Sequence, residues 1–66
     1  MALSLNQQLD AMAILQDCVD DGRIESGADG DLNRESVRVE VSFEASEQGY
    51  DDETAEAMGE YAASNA

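Results

Sequence analysis

The sequence predicts a small α+β fold in which a helix, a loop, a strand and a second helix are arranged around a short antiparallel sheet. Three observations lead to this. Apolar residues recur every three or four positions over residues 5–21, alternate strictly over 37–43, and recur with helical spacing again over 52–64. We expect residues 1–66 to form a single acidic α+β domain, because a chain of this length buries little surface and supports only one core.

The first predicted helix, residues 5–21, begins with the pattern of a capping box, Ser4 followed three residues later by Gln7. Gly22 is expected just past its end, where glycine readily adopts the left-handed backbone conformation. Apolar residues at spacings of three and four predict its buried stripe: Leu5, Leu9, Met12, Leu15 and Val19, widened by Ala11, Ile14 and Cys18.

The predicted strand covers residues 37–43, after a glycine-rich stretch over 22–35 that is typical of a loop. In a strand, Val37, Val39, Val41 and Phe43 would all face the core. A lone strand leaves unpaired backbone groups on both edges, so a second strand is needed. We expect it from residues 23–25, from part of 29–35, or from a second copy of the chain in a homodimer.

The last predicted helix covers residues 52–64, after a connection over 45–50, and is capped by Asp51 or Asp52. Its apolar side is expected to contain Ala55, Met58, Tyr61 and Ala62. Glu53, Glu56 and Glu60 recur at spacings of three and four, so a helix places them in one row on the opposite side.

The net charge limits the kinds of partner that the protein could bind. Sixteen Asp and Glu residues face three Arg, with no Lys or His, which gives a formal charge of −13. Self-repulsion of this size destabilises a compact state, so we infer that a basic surface on another molecule compensates it. The same charge repels nucleic acid and anionic lipid, which argues against direct nucleic-acid or membrane partners. A single cysteine and no signal-peptide pattern favour a cytoplasmic location.

The acids form the predicted binding surface, and we interpret their rows as a mimic of nucleic-acid phosphates. Residues 44–60 contain seven acids and no base, which is the densest charge in the chain. Rows of fixed anions can occupy a basic groove and displace its counterions, as nucleic acid does. The predicted partner is therefore a basic nucleic-acid-binding protein or complex. The predicted contact residues are Asp10, Asp17, Asp21, Glu44, Glu47, Asp51, Asp52, Glu53, Glu56 and Glu60.

In composition and size the chain resembles small, very acidic phage-encoded inhibitors of host defence, including some anti-CRISPR proteins and other DNA mimics. The resemblance implies stoichiometric inhibition in the cytoplasm of a host cell. Two alternatives remain open. The chain could be an interaction module that binds through its apolar strand edge and the Met58 and Tyr61 side, and its acidity could be an adaptation to molar salt.

Catalytic and metal sites are not expected from the sequence, and no cofactor is implied. Without His or Lys the chain lacks the commonest general base and the amine nucleophile, and Cys18 lies in an apolar stripe. Arg23, Arg34 and Arg38 are expected to bridge nearby acids. A calcium-loop spacing is incomplete, because its glycine position is Arg34. The residues with that spacing are Asp29, Asp31, Asn33, Glu35 and Glu40.

Overall fold

The computed structural model describes residues 2–24 and 32–65, and in these two ranges the chain forms three helices and no strand. The helices are α1 (Leu5–Asp20), α2 (Arg34–Glu47) and α3 (Asp52–Ser64). The fold is therefore all-α, and the predicted α+β class with its antiparallel sheet is wrong.

The correction concerns residues 37–43, which form the middle of α2 and not a strand. A helix satisfies its backbone hydrogen bonds internally, so the predicted pairing problem does not arise. Val37 and Val41 are buried in either conformation, because a spacing of four is two strand periods and about one helical turn. Val39 and Phe43, which follow Val37 and Val41 by two residues each, lie on the exposed side of α2.

The route to a homodimer through strand pairing is lost with this strand. Arg23 and Ile24, predicted as part of a second strand, follow the end of α1 without forming one. The rest of that candidate, within 25–31, lies outside the described residues. Among those that are described, 32–35 contain no strand, and α2 begins at Arg34.

The ends of α1 confirm the predictions made from local sequence. The Ser4 hydroxyl accepts a hydrogen bond from the Gln7 N–H at 3.2 Å, and the Ser4 N–H donates to Gln7 Oε1 at 2.9 Å, which completes the capping box. At the other end Gly22 has φ +75°, and the N–H of Arg23 donates to the Cys18 carbonyl at 2.9 Å. This geometry satisfies a terminal carbonyl and turns the chain away from the helix axis.

A short connection joins α2 to α3. Asn33 caps α2 by accepting from the Ser36 N–H, and Gly49 (φ +105°) reverses the chain after the last turn. The Tyr50 N–H then donates to the Ala45 carbonyl at 3.1 Å. Asp51 is the N-cap residue of α3, whose bounds confirm the prediction over 52–64.

All three helices contribute to one hydrophobic core. Its largest fully buried side chains are Met58, Val37, Val41 and Cys18. The predicted stripe of α1 is correct at Leu15 and at Ala11, Ile14 and Cys18 beside it, and it is wrong over the first two turns, where Leu5 and Leu9 are exposed. The buried side chains are Ala11, Ile14, Leu15, Cys18, Ile24, Val37, Val41, Ala45, Ala55, Met58, Ala62 and Ala63, with Met12, Val19, Tyr50 and Tyr61 partly buried against them.

Candidate acidic binding surface

Of the ten predicted contact acids, nine are exposed and one is half-buried. Glu44 is half-buried, since 30% of its side chain is exposed. The other nine are exposed: Asp10, Asp17, Asp21, Glu47, Asp51, Asp52, Glu53, Glu56 and Glu60. Six of the ten fall in two separate clusters, three in each, while Asp10, Glu47, Asp51 and Asp52 lie outside both.

The first cluster is the α3 row, defined as Glu53, Glu56 and Glu60. These residues recur at spacings of three and four on a helix whose other side is packed in the core, so their side chains share one exposed face. At a rise of about 1.5 Å per residue, the row extends about 10 Å along the helix. The acids of the first helical turn, Asp52 and Glu53, also interact favourably with the positive end of the helix dipole.

The α3 row borders Arg38 of α2. The Arg38 guanidinium donates to Glu35 at 2.6 Å, and this hydrogen bond, with the nearby charge of Glu35, raises the pKa of Arg38. Glu56 and Glu60 add weaker charge interactions in the same direction. One guanidinium therefore interacts with three carboxylates, and the flank stays net negative.

The second cluster is the cleft cluster, defined as Asp17, Asp20, Asp21 and Glu44. It surrounds a cleft of about 210 Å³ between the end of α1 and the end of α2, with Ile14, Cys18, Arg23 and Gln48 completing the lining. The cleft is smaller than the ~300 Å³ at which ligand pockets for drug-sized molecules begin. The arrangement therefore presents charge to a partner's surface better than it encloses a small molecule.

Arg23 connects the cleft cluster to α2 through two carboxylates. Its guanidinium donates to Glu44 at 2.5 Å and to Glu40 at 2.6 Å. These two hydrogen bonds raise the pKa of Arg23, the one to Glu44 having the larger effect. Glu44 is thus engaged within the molecule, which makes it the weakest of the predicted contact residues. The expectation that Arg23 and Arg38 bridge nearby acids is confirmed.

Asp10 lies apart from both clusters. Its carboxylate accepts a hydrogen bond from the Tyr50 hydroxyl, which ties α1 to the connection between α2 and α3. That hydrogen bond, together with partial burial, raises the pKa of Tyr50. Of the three predicted contact acids on α1, Asp17 and Asp21 line the cleft and Asp10 does not.

Cys18 lies at the buried side of the cleft, with 1% of its surface exposed. Burial raises the pKa of its thiol, which keeps it protonated at neutral pH. The prediction that Cys18 is a core residue is confirmed.

The metal-site predictions are only partly covered by the structure. Within residues 2–24 and 32–65 no group of three His, Cys, Asp or Glu side chains is arranged to hold a metal ion. Asp29 and Asp31 of the calcium-loop spacing lie outside the described residues, while Asn33 caps α2 and Glu40 binds Arg23.

Four large apolar side chains are exposed where the sequence predicted packing. Leu5 (69% exposed) and Leu9 (61%) lie on the first turns of α1, and Val39 (48%) and Phe43 (57%) lie on the outer side of α2. The apolar surface proposed for the alternative interaction module is wrong in part, because Met58 is fully buried.

Two surface features were hidden by the strand prediction: the pair of Glu40 and Glu44 that binds Arg23, and the exposed pair of Val39 and Phe43. Glu40 and Glu44 are four residues apart, so a helical reading of 34–47 places both on one face, where they can share a cation. The same reading places Val39 and Phe43 together on another face. Their helical spacing was the available signal, and the strand prediction concealed it.

Comparison with known proteins identifies no relative: no protein-family model matches the chain, nor does any curated protein or solved structure. None of the helices described here is long and apolar enough to cross a membrane.

Proposed function

We propose that the protein binds a basic nucleic-acid-binding protein or complex stoichiometrically and blocks its nucleic-acid site by mimicking a line of phosphates. The observation that carries this proposal is the α3 row, three exposed carboxylates on one helical face, in a helix that contains no basic residue. Asp51 and Asp52 extend the charge beyond the N-terminal end of the row. A cationic groove that holds phosphates would meet a similar line of anions here.

The remaining charge supports the same proposal. Arg23 is paired with Glu40 and Glu44, and Arg38 is paired with Glu35 and interacts more weakly with Glu56 and Glu60, so one arginine faces the three glutamates of the α3 row and the row stays net negative. The chain leaves an excess of negative charge uncompensated, and a polycationic partner that binds it reduces the self-repulsion of the folded protein. As a class, we propose a phage-encoded inhibitor of host defence or DNA processing, such as an anti-CRISPR protein, acting in the cytoplasm of the host.

The proposal predicts that the protein displaces duplex DNA from a basic binder. We would titrate it into fluorescently labelled duplex bound to each of three proteins: a linker histone, a bacterial nucleoid protein and an RNA-guided nuclease loaded with its guide. We expect saturable displacement from at least one of them, with affinity falling steeply as salt rises. Reversing the α3 row (Glu53→Lys, Glu56→Lys and Glu60→Lys together) should abolish displacement while the circular dichroism of the three helices is retained.

The matched control neutralises Glu25, Asp29 and Asp31, which the proposed surface does not include, to Gln, Asn and Asn. A second α3 variant, in which Glu53, Glu56 and Glu60 are all changed to Gln, loses the same number of negative charges as this control. Displacement that depends on the row should fall much further in the second variant than in the control. Equal losses would mean that only total charge matters, and no displacement at low salt from any of the three proteins would refute the proposal.

A second candidate function, an interaction module that binds through apolar contacts, is favoured by the exposure of Leu5, Leu9, Val39 and Phe43. Binding of that kind would survive high salt, whereas phosphate mimicry would not. Adaptation to molar salt makes a third, separable prediction. Such a protein would lose its helical circular dichroism in dilute buffer and regain it in concentrated salt.

A further inference from the structure

The outer face of α2 combines exposed apolar side chains with a surrounding ring of carboxylates. Val39 and Phe43 are four residues apart, so they are neighbours on one face of the helix, and each has about half of its surface exposed. We call this pair the α2 ridge. Isolated exposed apolar residues are common on proteins, but a paired aromatic and aliphatic side chain forms a small contiguous patch.

Acids lie in line with the α2 ridge at both of its ends. Glu35 precedes Val39 by four residues and Glu47 follows Phe43 by four, so the outer face of the helix reads acid, apolar, apolar, acid. Both glutamates are exposed, Glu35 with 72% of its side chain accessible. At about 1.5 Å per residue this line extends about 18 Å.

Acids also lie on both sides of the α2 ridge. Glu40 and Glu44 each follow a ridge residue by one position and lie on the flank where they hold Arg23. On the opposite flank Arg38 is surrounded by Glu35 and by Glu56 and Glu60 of the α3 row. Six carboxylates and two guanidinium groups therefore surround two apolar side chains, and the rim is net negative.

An apolar centre within a charged rim is the arrangement of an interface hot spot, in which the rim excludes water from the central contacts. The rim charge identifies the kind of partner. A second copy of this chain would bring two net-negative rims together, which is unfavourable, and nucleic acid would be repelled as well. A partner with lysines or arginines around an apolar stripe would complement both parts of the face.

We propose that the α2 ridge is the docking site for a basic amphipathic helix of the partner protein, packed along α2 with its apolar stripe on Val39 and Phe43 and its cations on the glutamate rim. The linear order of the face favours a linear occupant, because a helix presents apolar residues at the same spacing of three or four. This inference rests on the proposed function and names the contact that would give it specificity, since rim charges mainly govern the rate of association.

The test uses the full chain and two synthetic peptides of identical Leu and Lys composition. One peptide places leucines at helical spacing to form an apolar stripe, and the other has the same residues scrambled so that no stripe forms. Binding is measured by fluorescence anisotropy over a range of salt concentrations. We expect the striped peptide to bind at least about tenfold more tightly than the scrambled one.

The ridge variant Val39→Ser/Phe43→Ser should remove this tenfold preference and leave the salt dependence of binding unchanged. Leu5→Ser/Leu9→Ser is the matched control, because it removes an exposed apolar pair of the same spacing from the first turns of α1, where residues 2–9 carry no charged side chain. The control should bind both peptides as the unaltered protein does. All three proteins should show the same circular dichroism, since the altered side chains are exposed.

Three results would overturn the proposal. The ridge variant could keep the preference, the Leu5 and Leu9 variant could lose it instead, or sedimentation could reveal a dimer that Phe43→Ser dissociates, which would assign the face to a second copy. Failure of the phosphate-mimic proposal is a different result. It would appear as no displacement of duplex DNA, while the striped peptide still discriminated between the ridge variant and its control.

Discussion

The contact between α2 and α3 uses smaller side chains than the contact of helix α1 with the α2–α3 hairpin. Within the hairpin, Gly59 packs so closely against α2 that a Cβ at this position would lie 2.5 Å from the Arg38 carbonyl oxygen and 2.1 Å from Ser42 Oγ. Alanines 45, 55 and 62 continue this pattern of small buried residues. The hairpin thus depends on the absence of side-chain volume at the contact between its helices.

Helix α1 depends on the opposite property. It contributes Ile14, Leu15 and Cys18 to the core, where the hairpin contributes Val37, Val41 and Met58. Two polar links supplement these contacts: the ion pairs of Arg23, just after α1, and the hydrogen bond between Tyr50 and Asp10. Removing side-chain volume should therefore damage the docking of α1, whereas adding it should damage the hairpin.

The largest effect is expected from Ile14→Ala, which removes volume from α1. Ile14 is 3% exposed, so the change leaves a cavity and should lower the free energy of unfolding by about 2 to 5 kcal/mol. Urea unfolding followed by circular dichroism measures it. Since so small a domain could unfold outright, Ile14→Val provides a milder step, with an expected loss of about 0.5 to 1.5 kcal/mol.

Leu9→Ala is the matched control for this prediction. Leu9 is 61% exposed, and its truncation should change stability by less than about 0.5 kcal/mol. A loss at Leu9 as large as that at Ile14 would show that the first turns of α1 are packed, contrary to the structure.

The local signals of the sequence predicted helix ends better than packing faces. The Ser4 and Gln7 capping box, the glycine after α1 and the bounds of α3 follow from neighbouring residues, so they could be predicted without knowledge of the rest of the fold. The buried face of α1 was predictable only in part. Ala11, Ile14, Leu15 and Cys18 of the predicted stripe are buried, but Leu5 and Leu9 fit the same apolar period and are exposed.

The strand prediction failed because two periods overlap in residues 37–43. Val37 and Val41 satisfy both, and only Val39 and Phe43 distinguish an alternating strand from a helix with an apolar pair on its outer side. The candidate site was predictable in part. Acidic residues are expected on the surface, so their exposure could be predicted. The ion pairs of Arg23 with Glu40 and Glu44 could not, because they join residues far apart in sequence and depend on the tertiary fold.

A smaller effect is expected from Gly59→Ala, which adds volume to the hairpin. The new Cβ would contact a backbone oxygen that cannot move unless the helices separate, and overpacking of this kind costs about 1 to 3 kcal/mol. The better helix propensity of alanine offsets about 1 kcal/mol of this cost, so the expected net loss of stability is at most about 2 kcal/mol. Thermal and urea unfolding measure the change.

The double variant Ser42→Gly/Gly59→Ala sharpens this prediction. Removing the Ser42 side chain eliminates the closest contact but leaves the Arg38 carbonyl in place. A double-mutant cycle should therefore show favourable coupling between the two changes and incomplete rescue. Stabilisation by Gly59→Ala alone would show that the helices are not in close contact at this point.

The smallest effect concerns the polar link between Tyr50 and Asp10, and it is expected at alkaline pH. The neutral Tyr50 hydroxyl donates to Asp10, and this hydrogen bond and burial raise its pKa in the folded protein. A group whose pKa rises on folding stabilises the fold below its unfolded pKa of about 10, and this contribution is lost as pH rises through the folded pKa. The link should therefore be intact at neutral pH and be lost only in alkaline solution.

Tyrosinate absorbance in a Tyr61→Phe background reports the ionisation of Tyr50 alone, since the chain has two tyrosines. Asp10→Ala removes both the acceptor and its charge, so Tyr50 should ionise at a distinctly lower pH. Asp10→Asn keeps an acceptor oxygen without the charge and should lower the pKa by less. The ordering of the three proteins separates hydrogen bonding from charge, and an identical titration of Tyr50 in all of them would mean that α1 does not contact the α2–α3 connection through this pair.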